Sequence, residues 1–100
     1  EKEMEVDILL VNDTEVVAVE VKTTLKVQDV RDYLEALKEF TDFFHHYRGY
    51  HIYGAVAGVK IEEGADRFAY RQGLFVLTMT GEGLVKVLND LNFKPKDFRQ

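Results

Sequence analysis

The chain has 100 residues, of which 46% are hydrophobic, 12% aromatic and 31% charged, a balance that fits one small globular domain and excludes a disordered segment. It carries no cysteine, which removes disulfides, thiolate zinc sites and cysteine nucleophiles, and its net charge of -5 gives no global attraction to nucleic acid. No run approaches the roughly 20 apolar residues of a membrane helix, and no charged-then-apolar leader is present. The expectation is a soluble, cytoplasmic single domain over residues 1–100 with no membrane partner.

In chain order, Met4 to Val11 (MEVDILLV) alternates and then turns fully apolar, as in a strand entering a covered sheet. Asn12-Asp13-Thr14 signals a turn, and Glu15 to Lys22 (EVVAVEVK) reads as a second, β-branched strand that closes a hairpin. Val27 to Tyr47 reads as one long helix, with Val27, Val30, Leu34, Leu37, Phe44 and Tyr47 recurring at three- and four-residue steps and Gly49 beyond its end. Tyr50 to Val59 is a third strand, Glu63 to Gln72 a short helix ended by Gly73, and Leu74 to Met79 a fourth strand. Gly81 to Gly83 breaks the chain, and Gly83 to Asn89 reads either as a helical turn or as a marginal strand. The order β-β-α-β-α-β predicts an α/β domain whose third and fourth strands run parallel across a right-handed crossover. The chain begins with Glu1 and its first strand follows almost at once, which reads as a piece of a longer protein.

Asp7, Glu20 and Lys22 interrupt apolar strands. Charges removed from water are costly unless paired or bound to metal, so these residues need an exposed edge or a site. Glu20 and Lys22, two apart, share one face of their strand. Asp7 joins them when the hairpin loop is even: a four-residue loop sets Val11 against Val16 and Asp7 against Glu20, whereas a three-residue loop sends Asp7 to the other face. An even loop is expected, and the two carboxylates then stand roughly 5–8 Å apart. That spacing suits a hard cation such as Mg²⁺, which takes oxygen ligands and keeps several waters. Lys22 adds a charge beside it, and the set can lower the pKa of a bound water and neutralise charge on a phosphate. The bland alternative, a surface salt bridge with Glu5 as a further partner for Lys22, is worth about 0–1 kcal/mol and is at odds with the apolar flanks.

Asp7, twelve intervening residues and Glu20-Val21-Lys22, on a hairpin followed by a helix, resemble the PD-(D/E)xK nuclease superfamily, which includes restriction endonucleases and Holliday-junction resolvases. More narrowly, EVDILLV, VVAVEVKTTL, VQDV, YGAVAG, EEGAD and GLFVL are similar to a family of archaeal and bacterial nuclease-like proteins, over about Met4 to Phe98. The resemblance implies a restriction-endonuclease-like sandwich, a mixed sheet flanked by helices. It implies a metal-dependent endonuclease that hydrolyses DNA phosphodiester bonds with Mg²⁺ or Mn²⁺. Asp7 and Glu20 would be metal ligands, the Val21 carbonyl a third, and Lys22 the residue that orients or activates the attacking water. Val6 stands where the superfamily often has Pro, and its initial helix and strand, which often supply a further acidic residue, are not in this sequence.

Gln28, Lys26 and Arg31 are candidate substrate contacts, and Lys60, Arg67 and Arg71 candidate phosphate contacts, although scattered surface charge explains them equally. His45 and His46, about 100° apart on a regular helix, cannot both face one ion, and His51 with them reads as a partly exposed helix-end residue. Tyr33, Phe40, Phe43, Phe44 and Tyr47 read as core in preference to a base-stacking stripe, and Lys94, Lys96 and Arg99 as a solvated basic tail. Two rival functions accompany the nuclease reading: a catalytically inactive nuclease fold kept for nucleic-acid binding or subunit assembly, which the net charge favours, and an enzyme acting on another phosphoester. A homodimer is expected, through the exposed outer edge of the first strand.

Overall fold

The computed structural model describes residues 6–80 and 82–99. Five strands, β1 (Ile8–Val11), β2 (Glu15–Leu25), β3 (His51–Ile61), β4 (Phe75–Met79) and β5 (Val85–Val87), form one mixed sheet in the order β1-β2-β3-β4-β5. The outer pairs are antiparallel, and β2-β3 and β3-β4 are parallel. β3 and β4 are therefore parallel, as expected, and the segment after Gly83 is a strand. The first strand is shorter than its pattern suggests: the chain bends at Asp7, and Met4 and Glu5 lie outside the described residues.

The long helix of the sequence reading is three pieces: α1 (Val27–Lys38), α2 (Phe40–Phe43) and a 3-10 turn (His45–Tyr47). No glycine or proline breaks it. From Phe40 the chain is aromatic, β-branched or short and polar, all weaker helix formers than the Leu-Glu-Ala-Leu-Lys before it. Tertiary packing then sets the direction: Phe40 is buried, Phe44 stacks on it at 4.8 Å and Tyr47 at 6.2 Å. These rings belong to or pack against the core, as their spacing predicts.

Alternation decides which side of the sheet is covered. Val16 and Ala18 of β2, Ile52 and Val56 of β3 and Val76 of β4 pack under Val30, Tyr33 and Leu37 of α1 and Ala69 of α3 (Ala65–Arg71). Full burial of each large aliphatic side chain there contributes about 1.5–3 kcal/mol. Gly54 lies beneath this layer, where a Cβ would come within 2.7 Å of Leu37 and Leu74. The start of α1 is held by Asp29, whose carboxylate accepts the Lys26 N–H, and by Glu62, which accepts the Val27 N–H. The other face carries Ile8 and Leu10, Val17 and Val21, Tyr53 and Val59, and Leu77, Met79, Val85 and Val87, and no described helix covers it. The domain is thus α/β with a mixed sheet, helices lying on one face among the described residues. No described helix is long and apolar enough to cross a membrane.

The basic tail is docked, contrary to its reading as a solvated terminus. Phe98 enters the core, its N–H bonds the Ile52 carbonyl, and the Lys96 N–H bonds the Gly73 carbonyl. A large apolar residue, Phe98, in an otherwise charged segment was the signal. Gly73 permits the docking: its φ is +84°, and a Cβ there would lie 2.8 Å from the Lys96 nitrogen. Gly73→Ala should therefore combine left-handed strain with a clash against backbone and cost about 2 kcal/mol or more in a denaturant titration.

Candidate active site

The site is assembled by the hairpin. Asn12 accepts the Thr14 and Glu15 N–H groups through its side chain, and its own N–H bonds the Glu15 carbonyl. This turn makes the loop four residues long, with Val11 against Val16 and Ile8 against Val19. One step further, Asp7 falls opposite Glu20, on the face that carries Lys22.

The β1 ladder stops at Ile8, and the Asp7 side chain takes over: its Oδ2 accepts the Val21 N–H at 2.8 Å. A strand residue directs its N–H and C=O to the same side, so the Val21 carbonyl also faces Asp7. The Asp7 carboxylate lies within hydrogen-bonding reach of Glu20. Burial pushes the Glu20 carboxyl above its ordinary 4.5, the hydrogen bond and charge of Asp7 push it further, Asp29 adds to this, and Lys22 opposes it. Two carboxylates so close compete for one charge unless a proton or a cation sits between them. Among the described residues no group of three His, Cys, Asp or Glu side chains could hold a metal. Two carboxylates nevertheless suffice for Mg²⁺, which is commonly held through one or two and keeps its waters.

Two residues near this pair were not singled out as site residues from sequence. Asp29, at the first turn of α1, faces the pair closely enough to raise Glu20. Tyr33, one turn on, is buried, donates its hydroxyl to the Ala18 carbonyl, and is held neutral by burial and by the negative charge of Glu20 and Asp7. Its four-residue offset from Asp29 on an amphipathic helix was the available signal.

Lys22 pairs with Gly58 on the helix-bearing face, and Lys60 lies at the same end of the sheet, beyond a gap in the ladder after which Leu25 and Ile61 turn into the core and Thr24 and Lys60 away from it. Lys26 is exposed at the start of α1. Gln28 and Arg31 turn toward α3: Gln28 donates to Asp32, Arg31 lies over the Phe68 ring, and both line a groove of about 460 Å³ with Gln72, Lys96 and Phe98. Arg67 and Arg71 lie on α3, along a second groove with Tyr70 and Asp90. Glu5 lies outside the described residues.

The three histidines do not converge. His45 bonds the Asp42 carbonyl, and His46 packs on Tyr47. His51 opens β3, at the opposite end from Lys22, and its Nδ1 is 2.7 Å from Asp97. Burial alone would raise Asp97, but His51, the Ile52 and Arg99 N–H groups and the Arg99 charge together hold it below the usual carboxylate range. This clamp ties the tail to the sheet.

No family model, no curated protein and no solved structure matches the chain. The functional reading therefore stands on the residues of the site.

Because the folded state holds the Glu20 proton more tightly than the unfolded chain, its contribution is fully present below the ordinary carboxylate range and is lost as pH rises through the raised value. Glu20→Gln should remove that loss. In metal-free buffer its thermal midpoint should exceed that of the unsubstituted chain at pH 7 and converge with it near pH 4. The gain should stay under about 4 °C, because a partly exposed pair is screened to within about 1 kcal/mol. Asp7→Ala should not share the gain, since it also strips the Val21 N–H of its acceptor; differential scanning calorimetry would separate the two.

Proposed function

We propose that the domain is the core of a magnesium-dependent nuclease that hydrolyses DNA phosphodiester bonds, with a restriction-endonuclease-like fold. The observation that carries this reading is the Asp7–Glu20 carboxylate pair, which the four-residue hairpin sets beside Lys22 on one face. Asp7, Glu20 and the Val21 carbonyl would hold the cation, Mg²⁺ or Mn²⁺. When bound, it supplies Lewis-acid stabilisation of charge on the phosphate.

The chain's own groups perform the remaining work. The Lys22 ammonium, on the same face as Glu20, donates to the attacking water or to a non-bridging phosphate oxygen and offsets the negative charge that grows there. The water oxygen bonds to phosphorus as the bond to one bridging oxygen breaks, the water's proton leaves to solvent, and the departing oxygen takes a proton from solvent to become a hydroxyl. Lys60 and Lys26, beyond Lys22 at the same end of the molecule, suit the flanking phosphates.

A second reading, a nuclease fold retained for nucleic-acid binding or assembly, draws on two observations: the net charge of -5 and the lack of a third acidic or histidine ligand among the described residues. Incubation of the chain with supercoiled plasmid decides between them. Nicking that requires Mg²⁺ or Mn²⁺, is stopped by EDTA, and falls by about 100-fold or more in Asp7→Asn, Glu20→Gln and Lys22→Ala supports hydrolysis, each loss corresponding to roughly 3 kcal/mol of transition-state stabilisation. Plasmid retained without cleavage by the unsubstituted chain supports the second reading. Cleavage unaffected by all three substitutions rejects the site.

A further inference from the structure

The sheet face that the helices leave bare is apolar across all five strands. Cross-strand partners share a face, so the pairings Ile8–Val19, Leu10–Val17, Leu77–Val87 and Met79–Val85 define it from edge to edge. Its outer side chains are well exposed, Leu10 at 56%, Val59 at 54%, Val85 at 65% and Val87 at 53%, whereas Val19 and Ala55 at its centre are buried and Phe93 lies on Phe75. Charge lies only at its ends, with Glu15 paired to His51 and His51 meeting Asp97 at one and Lys60 at the other. Glycine-free and without a lysine or arginine between its ends, the face has nothing to offer a phosphate backbone or an anionic headgroup.

We infer that this face is the interface of a symmetric dimer, covered by the same face of a second copy. Three features select that occupant. The exposed apolar surface comes to roughly 800 Å² per copy, from the fractional exposures of its side chains, and this is what a standard stable interface takes from each partner. Five strands spaced about 4.8 Å apart make a surface nearly 20 Å wide, about twice the width of one helix, whereas a second sheet packed some 10 Å away covers it completely. An uncharged centre also lets two chains of net charge -5 meet without apposing like charges. The contact differs from pairing along the outer edge of β1, because it buries side chains and leaves that edge's backbone free. It also leaves the Asp7–Glu20 pair on the outer, helix-bearing side of each copy, so assembly and chemistry are separable.

Sedimentation velocity over a range of concentrations tests this. The unsubstituted chain should sediment at about twice 11.6 kDa, and Val59→Lys and Val85→Lys, both at half-exposed positions, should each weaken association by 100-fold or more while far-UV circular dichroism is unchanged. The absence of native cysteine allows a reading that introduces no charge. A thiol at Val59→Cys should react with a maleimide at least 10-fold more slowly than one at Lys86→Cys, on the opposite face of the sheet, and the difference should vanish on dilution to monomer. A chain that stays monomeric at the highest concentration reached overturns the proposal. So does a dimer that survives both lysine substitutions but is lost on Leu9→Pro, which would place the contact at the β1 edge. So does a monomer that instead floats with neutral phosphatidylcholine vesicles, which would make the occupant lipid. Glu20→Gln should leave association unchanged, so failure of the nuclease reading and failure of the dimer show in different measurements.

Discussion

The hairpin register between β1 and β2 is the constraint on which the rest of the molecule depends. Asn12 secures a four-residue loop with four hydrogen bonds, one from its backbone N–H and three through its side chain. Through the two-residue period of a strand, that one loop length sends Leu9 toward the helices, Ile8 and Leu10 to the bare face, and Asp7 to Glu20. A slip of one residue would put the Asp7 carboxylate on the apolar face and turn Ile8 and Leu10 inward. Site, core and exposed surface are thus consequences of a single turn.

Parallel pairing of β2, β3 and β4 then divides the labour of the sheet. Each crossover returns on the same side, so α1 and α3 pack on one face and that face holds both core and ionisable site. In so small a domain the two are contiguous. Tyr33 fills the core with its ring and reaches the Ala18 carbonyl with its hydroxyl, while the Glu20 and Asp7 charges act on it. Asp7 likewise has two tasks: one oxygen replaces the missing ladder partner of Val21, and the carboxylate as a whole opposes Glu20. The like-charge pair is a local cost, partly offset by Lys22, of the kind that folds keep where chemistry requires it.

At the far end of the sheet the C-terminal segment closes the structure. Asp97 gathers His51, the Ile52 N–H and the Arg99 N–H, and Phe98 follows into the core. This clamp lies at the opposite end from Lys22, so the two ionisable clusters are held by different ends of the same strands. The tail's clamp and the proposed chemistry are accordingly separated in space.

Strand identity, the hairpin, the parallel crossover and the shared face of Glu20 and Lys22 were legible in the sequence, because period-two alternation and turn residues act over a few positions and need no partner. The aromatic stripe was legible as core for the same reason at Tyr33, Phe40, Phe44 and Tyr47, whereas Phe43 is only half-buried and stands outside the core cluster. The break of the long helix at Glu39 was not, since the pattern of Phe40, Phe44 and Tyr47 fits a helix whether or not the rings later stack away from its axis. Nor was the role of Asp29, or that of His51 with Asp97, because residues 9 and 46 positions apart meet only once β2, α1, β3 and the tail are in place. The sequence alone therefore determined which side chains alternate onto which face of each strand, a property of local backbone geometry. Only the tertiary structure decided which face is covered and which is bare, because that depends on where the crossovers return and what they bury.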